Sequence, residues 1–290
     1  MPISGGFVIF APYMLYRPFI RPLIRKSNKE KARKYVFGSL HFLASFGLGR
    51  QIIRWLYSRD YPSLRRNVFG LDMSNPVGIA AGFDPTARMC DMLQDAGFAY
   101  VQTGPFYDKD QIIKAISALK NRRRLKIVAA NLGTRGPALT KEGNVDFYET
   151  AFSLLYDFVD MFVVQMDDID VNLDPLLNKR AGMDTYKPVL VQLTAHAERD
   201  SENEILHYAL LSGVDGLIVG SGDFEKTLEM VKGVLSKMEG RLPVVASGGI
   251  FTPEQAGRLL DEGASMIELY DGLIEEGPSL TRRTLNYLAK

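Results

Sequence analysis

From residue 75 to its C-terminus the chain repeats one pattern eight times: a short run of β-branched and apolar residues, then a stretch with apolar residues three and four apart. The strand candidates are Asn75–Gly82, Ala99–Gly104, Leu125–Asn131, Met161–Met166, Val189–Thr194, Gly216–Ser221, Val244–Gly249 and Met266–Gly272. Between them, sets such as Leu206, Leu210 and Leu211, or Ala256, Leu259 and Leu260, put apolar side chains on one helix face. Gly97, Gly213 and Gly263 stand where such a stretch ends and the next strand candidate begins, a place that favours a left-handed residue. Strands that alternate with helices pair in parallel, because each crossover returns the chain to the same end of the sheet. Eight such units in order, within 290 residues and with no strand-only region, predict the α/β class and a closed (β/α)8 barrel of the TIM type.

In such a barrel the loops leaving the C-terminal strand ends form the functional face. The residues expected there are Asp84, Pro105–Asp108, Asn131, Asp167–Asp170, His196, Gly220–Asp223, Gly248 with Gly249, and Asp271. The segment 247–253 closes the seventh strand and opens a helix, so its two glycines could turn backbone N–H groups toward an anion. A tight turn would use the same glycines. Asp84, Asp167, Asp168, Asp170, Asp223 and Asp271, with His196 nearby, are oxygen donors of the kind that suit Mg²⁺ or Ca²⁺. No ligand-spacing motif orders them, acidic loops are commonly just solvated, and no metal site is expected.

Charge divides the chain near residue 66. Residues 1–66 hold thirteen Lys and Arg against two acids, Glu30 and Asp60, within a chain of formal net charge +1. The stretch Phe7–Ile24 is about long enough to cross a bilayer, but Pro12, Arg17, Pro18, Arg21 and Pro22 interrupt it at a cost in hydrocarbon. Apolar residues from Val36 to Tyr57, Trp55 among them, then stand beside arginine and lysine. That is the composition of helices lying in a membrane interface and drawn to anionic headgroups. The chain therefore reads as a basic amphipathic segment, residues 1–66, resting peripherally on the cytoplasmic face of a membrane, followed by a barrel over residues 67–290. A helical cap packed on the barrel is the alternative for the first part. No recognition motif accompanies the basic charge, so nucleic acid is not expected, and nothing points to a particular protein partner. A single cysteine, Cys90, excludes an intrachain disulfide and fits a reducing compartment. Arg122–Arg124 reads as a solvated basic turn, and Met89, Met92 and Met161 as core filler.

Three segments carry a resemblance: NPVGIAAGFD at 75–84, PVVASGGIF at 243–251 and GASMIELYDGLIEEGP at 263–278. With the lead-in NVFGLD at 67–72 and the N-terminal helices, they make nearly the whole chain similar to the class 2 dihydroorotate dehydrogenases, which are quinone-dependent and membrane-associated. The resemblance implies FMN at the barrel mouth and oxidation of dihydroorotate to orotate in pyrimidine biosynthesis. It also implies a quinone that takes the electrons after entering between the N-terminal helices. It places Ala80, Ala81, Gly82, Asn131, Gln192, Ser221, Gly248, Gly249, Tyr270, Asp271 and Gly272 around the cofactor, and Gln165 and Asp168 at the substrate.

At most polar positions the chain departs from the family pattern. Pro85 stands where the family has a lysine, the segment Gly104–Asp108 lacks its two threonines, and the chain passes from Gln111 almost directly into a helix expected over Ile112–Asn121, without the family's long substrate loop. Asp168 takes the place of the catalytic serine, Gln165 and Asp170 those of two asparagines, Gln192 that of a lysine, and Gly220-Ser221 that of Thr-Asn. Asp271 replaces a threonine beside the phosphate, where a carboxylate about 4–5 Å away is repelled by roughly 3–4 kcal/mol per unit charge at an effective dielectric near 20. The expectation is a dihydroorotate dehydrogenase-like barrel that is silent for that oxidoreductase reaction, a pseudoenzyme binding or scaffolding at a membrane surface. An active class 2 enzyme with tolerated substitutions, and a barrel re-tooled around a divalent metal, are the alternatives.

Overall fold

The computed structural model describes residues 48–122, 127–133, 141–166, 172–193 and 199–290, with Lys31 and Gly38. Helix α1 (Gly49–Tyr57) leads to a hairpin of β1 (Arg66–Val68) and β2 (Leu71–Met73). Eight parallel strands follow: β3 (Val77–Asp84), β4 (Tyr100–Phe106), β5 (Ile127–Leu132), β6 (Met161–Met166), β7 (Val189–Leu193), β8 (Gly216–Val219), β9 (Val244–Ser247) and β10 (Met266–Leu269). They pair in sequence order, and β10 returns to β3, so the barrel expected from the alternation is closed.

The intervening helices are α2 (Cys90–Asp95), α3 (Lys109–Leu119), α4 (Lys141–Leu155), α5 (Asp174–Ala181), α6 (Arg199–Ser212), α7 (Phe224–Met238) and α8 (Pro253–Asp261). Short α9 (Asp271–Glu276) and α10 (Ser279–Leu288) end the chain. Three helices that start at the C-terminal end of the barrel carry side-chain caps. Asp108 accepts the N–H of Gln111 at 2.9 Å, Asp223 that of Lys226 at 3.0 Å, and Thr252 forms a reciprocal capping box with Gln255. Each satisfies N–H groups that a helix start leaves open.

Strand ends differ from the sequence reading for local reasons. β3 starts two residues late because the Asn75 side chain accepts the N–H of Val77 at 2.9 Å and donates to Gly97 O at 2.9 Å, holding the entry as a turn. β8 and β9 stop before Gly220 and Gly248, whose φ of 153° and 85° turn the chain out of the sheet. Helix α3 begins at Lys109 rather than Ile112 because Asp108 caps it. Gly97, Gly213 and Gly263 do have φ of 102°, 82° and 112°. Arg122 is corrected: its side chain is buried, bonding Asp160 at 3.0 Å and Phe158 O at 3.1 Å. The carboxylate before β6 draws it inward, while Arg123 and Arg124 lie outside the described residues. Met89, Met92 and Met161 are buried in the core.

Two cores follow from strand alternation. Residues such as Val101, Val128, Val164 and Val191 pack outward against the helices. Their neighbours Tyr100, Ala129, Val163, Leu190, Ile218, Val245 and Met266 pack inside the barrel together with Val68, Phe69 and Met73 of the hairpin. Phe69 sits at the hairpin tip with φ of 59°, followed by Gly70 at 76°, and its ring lies where a side chain at Gly216 would be. Burying such a ring stabilises by about 1.5–3 kcal/mol. The hairpin thus plugs the floor of the barrel.

Helix α1 rests on α2 and α10. Arg50 and Arg54 both reach Asp95, at 2.7 and 2.6 Å, and Arg282 donates to Leu56 O at 2.8 Å. Ile53 is buried, whereas Leu48 and Trp55 are 64% and 58% exposed with Ile52 between them at 43%. Among the described residues no helix is long and apolar enough to cross a membrane.

Candidate functional site

The residues two positions beyond the apolar interior layer also point inside the barrel, one pleat nearer the mouth. They are Gln102, Asn131, Gln165, Gln192, Gly220, Ser247 and Glu268. Apart from Gly220 every one is polar, so the barrel has an apolar lower layer and an amide-rich upper layer. Gln102, Asn131 and Glu268 are fully buried; Gln165, Gln192, Gly220 and Ser247 are partly exposed at the mouth.

Hydrogen bonds join this layer across five strands. The Glu268 carboxylate accepts the Tyr100 hydroxyl at 2.6 Å, the Gln102 amide, and the Ser247 hydroxyl at 2.7 Å. Gln102 Oε1 accepts Asn131 Nδ2 at 2.9 Å, and Asn131 Nδ2 also donates to Gln192 Oε1 at 2.8 Å. Asn131 Oδ1 is buried without a partner. Burial pushes the Glu268 carboxyl up, against the three donated hydrogen bonds that pull it down. Burial likewise pushes the Tyr100 hydroxyl well up, and the neighbouring Glu268 charge adds to it.

The bulge where β3 shifts register against β4, between Ile79 and Asp84, contains Ala80, Ala81 and Gly82. A Cβ at Gly82 would lie 3.6 Å from the Tyr270 ring, and Tyr270 meets Phe83 edge-on at 6.3 Å. These small residues and Tyr270 form one wall of the mouth. Opposite, the loops after β8, β9 and β10 press backbone against backbone. A Cβ would lie 2.5 Å from Ser221 O at Gly248, 2.6 Å from the Asp223 carbonyl carbon at Gly249, and 1.8 Å from Ile250 O at Gly272. Chain-to-chain contact alone therefore demands those glycines. The N–H groups of Phe251 and Thr252 are taken by Gln255 Oε1, at 2.8 and 3.1 Å. Asp271 reaches the same rim, its Oδ2 3.6 Å from where a Cβ of Gly222 would lie. A dianionic phosphate does not fit an end edged by that carboxylate, and the neutral Gln192, engaged with Asn131, supplies no cation at the ring end. At these two ends the described residues do not supply the positive charge that FMN would call for.

Of the acidic residues grouped at the mouth by sequence, Asp84 and Asp223 are engaged in local structure. Asp84 is corrected: it is fully buried and accepts the N–H groups of Arg88 and Met89 at 3.0 and 2.7 Å and the Cys90 thiol at 3.6 Å. The turn after β3 folds over its carboxylate and withdraws it from the mouth. Asp223 serves α7 as its cap. Among the described residues, no group of three or more His, Cys, Asp or Glu could hold a metal ion. Asp167, Asp168, Asp170 and His196 lie outside the described residues. Gln165 and Gln192 stand in register on β6 and β7, and Ser221 donates to Asp223 O at 3.0 Å beside the rim. Gln102, Tyr100 and Glu268 were missed in the sequence. Their signal was a lone polar residue at the same parity as the apolar interior set.

No family model matches the chain. The dihydroorotate dehydrogenase (quinone) of Christiangramia forsetii is 26% identical over 330 positions, covering 92% of this chain and 97% of the relative. That of Salinispora arenicola is 27% identical, with 93% and 97% covered, and that of Coxiella burnetii is 25% identical, with 95% and 97%. Alignments longer than this 290-residue chain mean that the relatives carry stretches without a counterpart here. A crystal structure of a ligand-free dihydroorotate dehydrogenase from Eimeria tenella shares the fold, with a TM-score of 0.70 at 19% identity over 82% of this chain and 92% of that one. Along almost its entire length this protein is thus similar, at 25–27% identity, to quinone-dependent dihydroorotate dehydrogenases, and it shares the barrel fold of the solved one.

Proposed function

We propose that this chain does not oxidise dihydroorotate and works as a ligand-binding barrel at a membrane surface. The observation that carries the reading is the upper layer, where neutral amides share a hydrogen-bond network with the buried carboxylate of Glu268. Dihydroorotate is an anion, and a site that turns it over needs donors and positive charge preorganised around it. A carboxylate within the layer and Asp271 at the rim oppose that charge. In this reading FMN is not held tightly, and a quinone, the acceptor implied by resemblance, has no part.

The test is orotate formation from dihydroorotate with a soluble quinone analogue, on purified protein incubated with FMN. No turnover above the protein-free rate is expected, with no flavin absorbance retained after desalting. Turnover at a rate near that of the relatives overturns the reading and restores the second one, an active dehydrogenase. Coverage of 97% of the relatives' length favours that alternative.

The membrane half of the proposal is supported by two features. Residues 1–66 are strongly basic, and α1 carries an exposed stripe of Leu48, Ile52 and Trp55 at positions that share a helix face. We place this segment against the cytoplasmic face, in keeping with the single, buried Cys90. Co-sedimentation with phosphatidylcholine vesicles containing phosphatidylglycerol, and not with phosphatidylcholine alone, is expected. Equal recovery in the supernatant with both removes that half.

A further inference from the structure

The hydrogen bonds of the upper layer have a direction, and one residue sets it. Glu268 Oε1 accepts, so Gln102 turns its NH2 toward it and leaves its carbonyl for Asn131. Asn131 must then offer its NH2, and the second N–H of that group goes to Gln192 Oε1. Gln192 is left with its carbonyl inward and its NH2 turned away, with no partner among the described residues. The cost is visible at Asn131, whose buried Oδ1 is unmet among the described residues. Turning the Asn131 amide over would not relieve it, because its oxygen would then face two carbonyl oxygens, those of Gln102 and Gln192. A proton on Glu268 would settle on Oε2 beside Ser247 and leave Oε1 accepting, so the direction survives protonation.

We propose that Glu268 is a positioning residue for the barrel mouth. It acts through Gln102 and Asn131, fixing Gln192 as a hydrogen-bond donor and Asn131 Oδ1 as a bare acceptor beside it. Gln192 can then take an oxygen of a ligand through its NH2, while its Oε1 is turned to Asn131. The assignment deepens the reading of the mouth as a binding surface, and it can be tested with no ligand present, so its failure is separate from failure of that reading.

The measurement is side-chain amide exchange with water, by NMR on ¹⁵N-labelled full-length protein, with the Gln192 signals identified through Gln192→Met. In the unsubstituted protein the Gln192 NH2 is expected to exchange like a free amide and the Asn131 NH2 at least tenfold more slowly. Glu268→Gln keeps an acceptor at the Oε1 position and a donor for Ser247, and it should preserve both rates. Glu268→Met removes the acceptor, frees Gln102 to turn over, and should slow Gln192 exchange several-fold while Asn131 exchange quickens. A protected Gln192 NH2 in the unsubstituted protein overturns the proposal without any variant. So does a folded Glu268→Met protein with unchanged rates at both amides. If Glu268→Met does not fold, the unsubstituted protein and Glu268→Gln still decide, since loss of the pattern in Glu268→Gln contradicts an acceptor-set direction.

Discussion

Tyr100→Phe isolates one hydrogen bond to a buried carboxyl group. The Tyr100 ring lies on Gly78, where a Cβ would come within 2.3 Å of it, and phenylalanine keeps that packing. Only the hydroxyl that donates to Glu268 at 2.6 Å is lost. A hydrogen bond to a charged group contributes about 1.5–3 kcal/mol, and one to a neutral group about 0.5–1.5 kcal/mol. For a barrel of this size a loss of 1.5–3 kcal/mol lowers the melting temperature by roughly 3–12 °C. The pH dependence follows from the direction of the Glu268 shift. Its folded value lies above the ordinary 4.5, so its favourable contribution is full below that value and is lost as pH rises through the folded value. The Tyr100 bond is the largest of the influences holding that value down, so the variant raises it further and loses most where the carboxylate is ionised. Urea unfolding followed by circular dichroism, at about pH 4.5 and about pH 8, should show the larger difference between variant and parent at the higher pH. Equal losses at both, or a larger one at the lower pH, would refute the buried-carboxylate account.

Three further outcomes are expected. Gly272→Ala puts a Cβ 1.8 Å from Ile250 O and should destabilise the protein by about 1–3 kcal/mol or more with no ligand present; unchanged stability would mean that the rim loops are not in contact. Asp215 accepts both Arg180 at 2.6 Å and the Val189 N–H at 2.8 Å, so Asp215→Ala strands a largely buried guanidinium and should cost about 3–5 kcal/mol in urea unfolding; a loss below about 1 kcal/mol would mark the pair as solvated. Replacing Leu48, Ile52 and Trp55 together by serine should leave the melting temperature nearly unchanged, because all three are exposed, and reduce co-sedimentation with anionic vesicles several-fold; unaltered sedimentation would assign membrane contact to other residues.

The barrel was legible because its signal is periodic: eight alternations of strand and helix, with glycines at the joints, survive errors of two residues at any one end. The ends themselves depend on single contacts. Asn75 bonding across to Gly97 and Asp108 capping α3 move a boundary by two or three residues, and nothing in local composition announces them. At the mouth, Asn131, Gln165, Gln192 and Gly248 were found from their places at strand ends and from resemblance. Gln102 and Glu268 are not legible from the loops, because the polar layer lies one pleat below them. Asp84 shows the opposite error. A carboxylate at a strand end is indistinguishable in sequence from one captured by N–H groups four and five residues later.

The hairpin under the barrel has a consequence for exchange with solvent. With Phe69 and Met73 closing the N-terminal end and an apolar layer above them, the described residues seal the barrel floor and leave the partly exposed polar positions at the opposite end. Protons moving between water and the Tyr100–Glu268 pair must pass the amides at the rim. Anything that settles on Gln192 and Asn131 would act as a stopper, and the hydroxyl proton of Tyr100 should then exchange more slowly. Its lifetime would count occupied wells, whatever the occupant, without a label on the ligand.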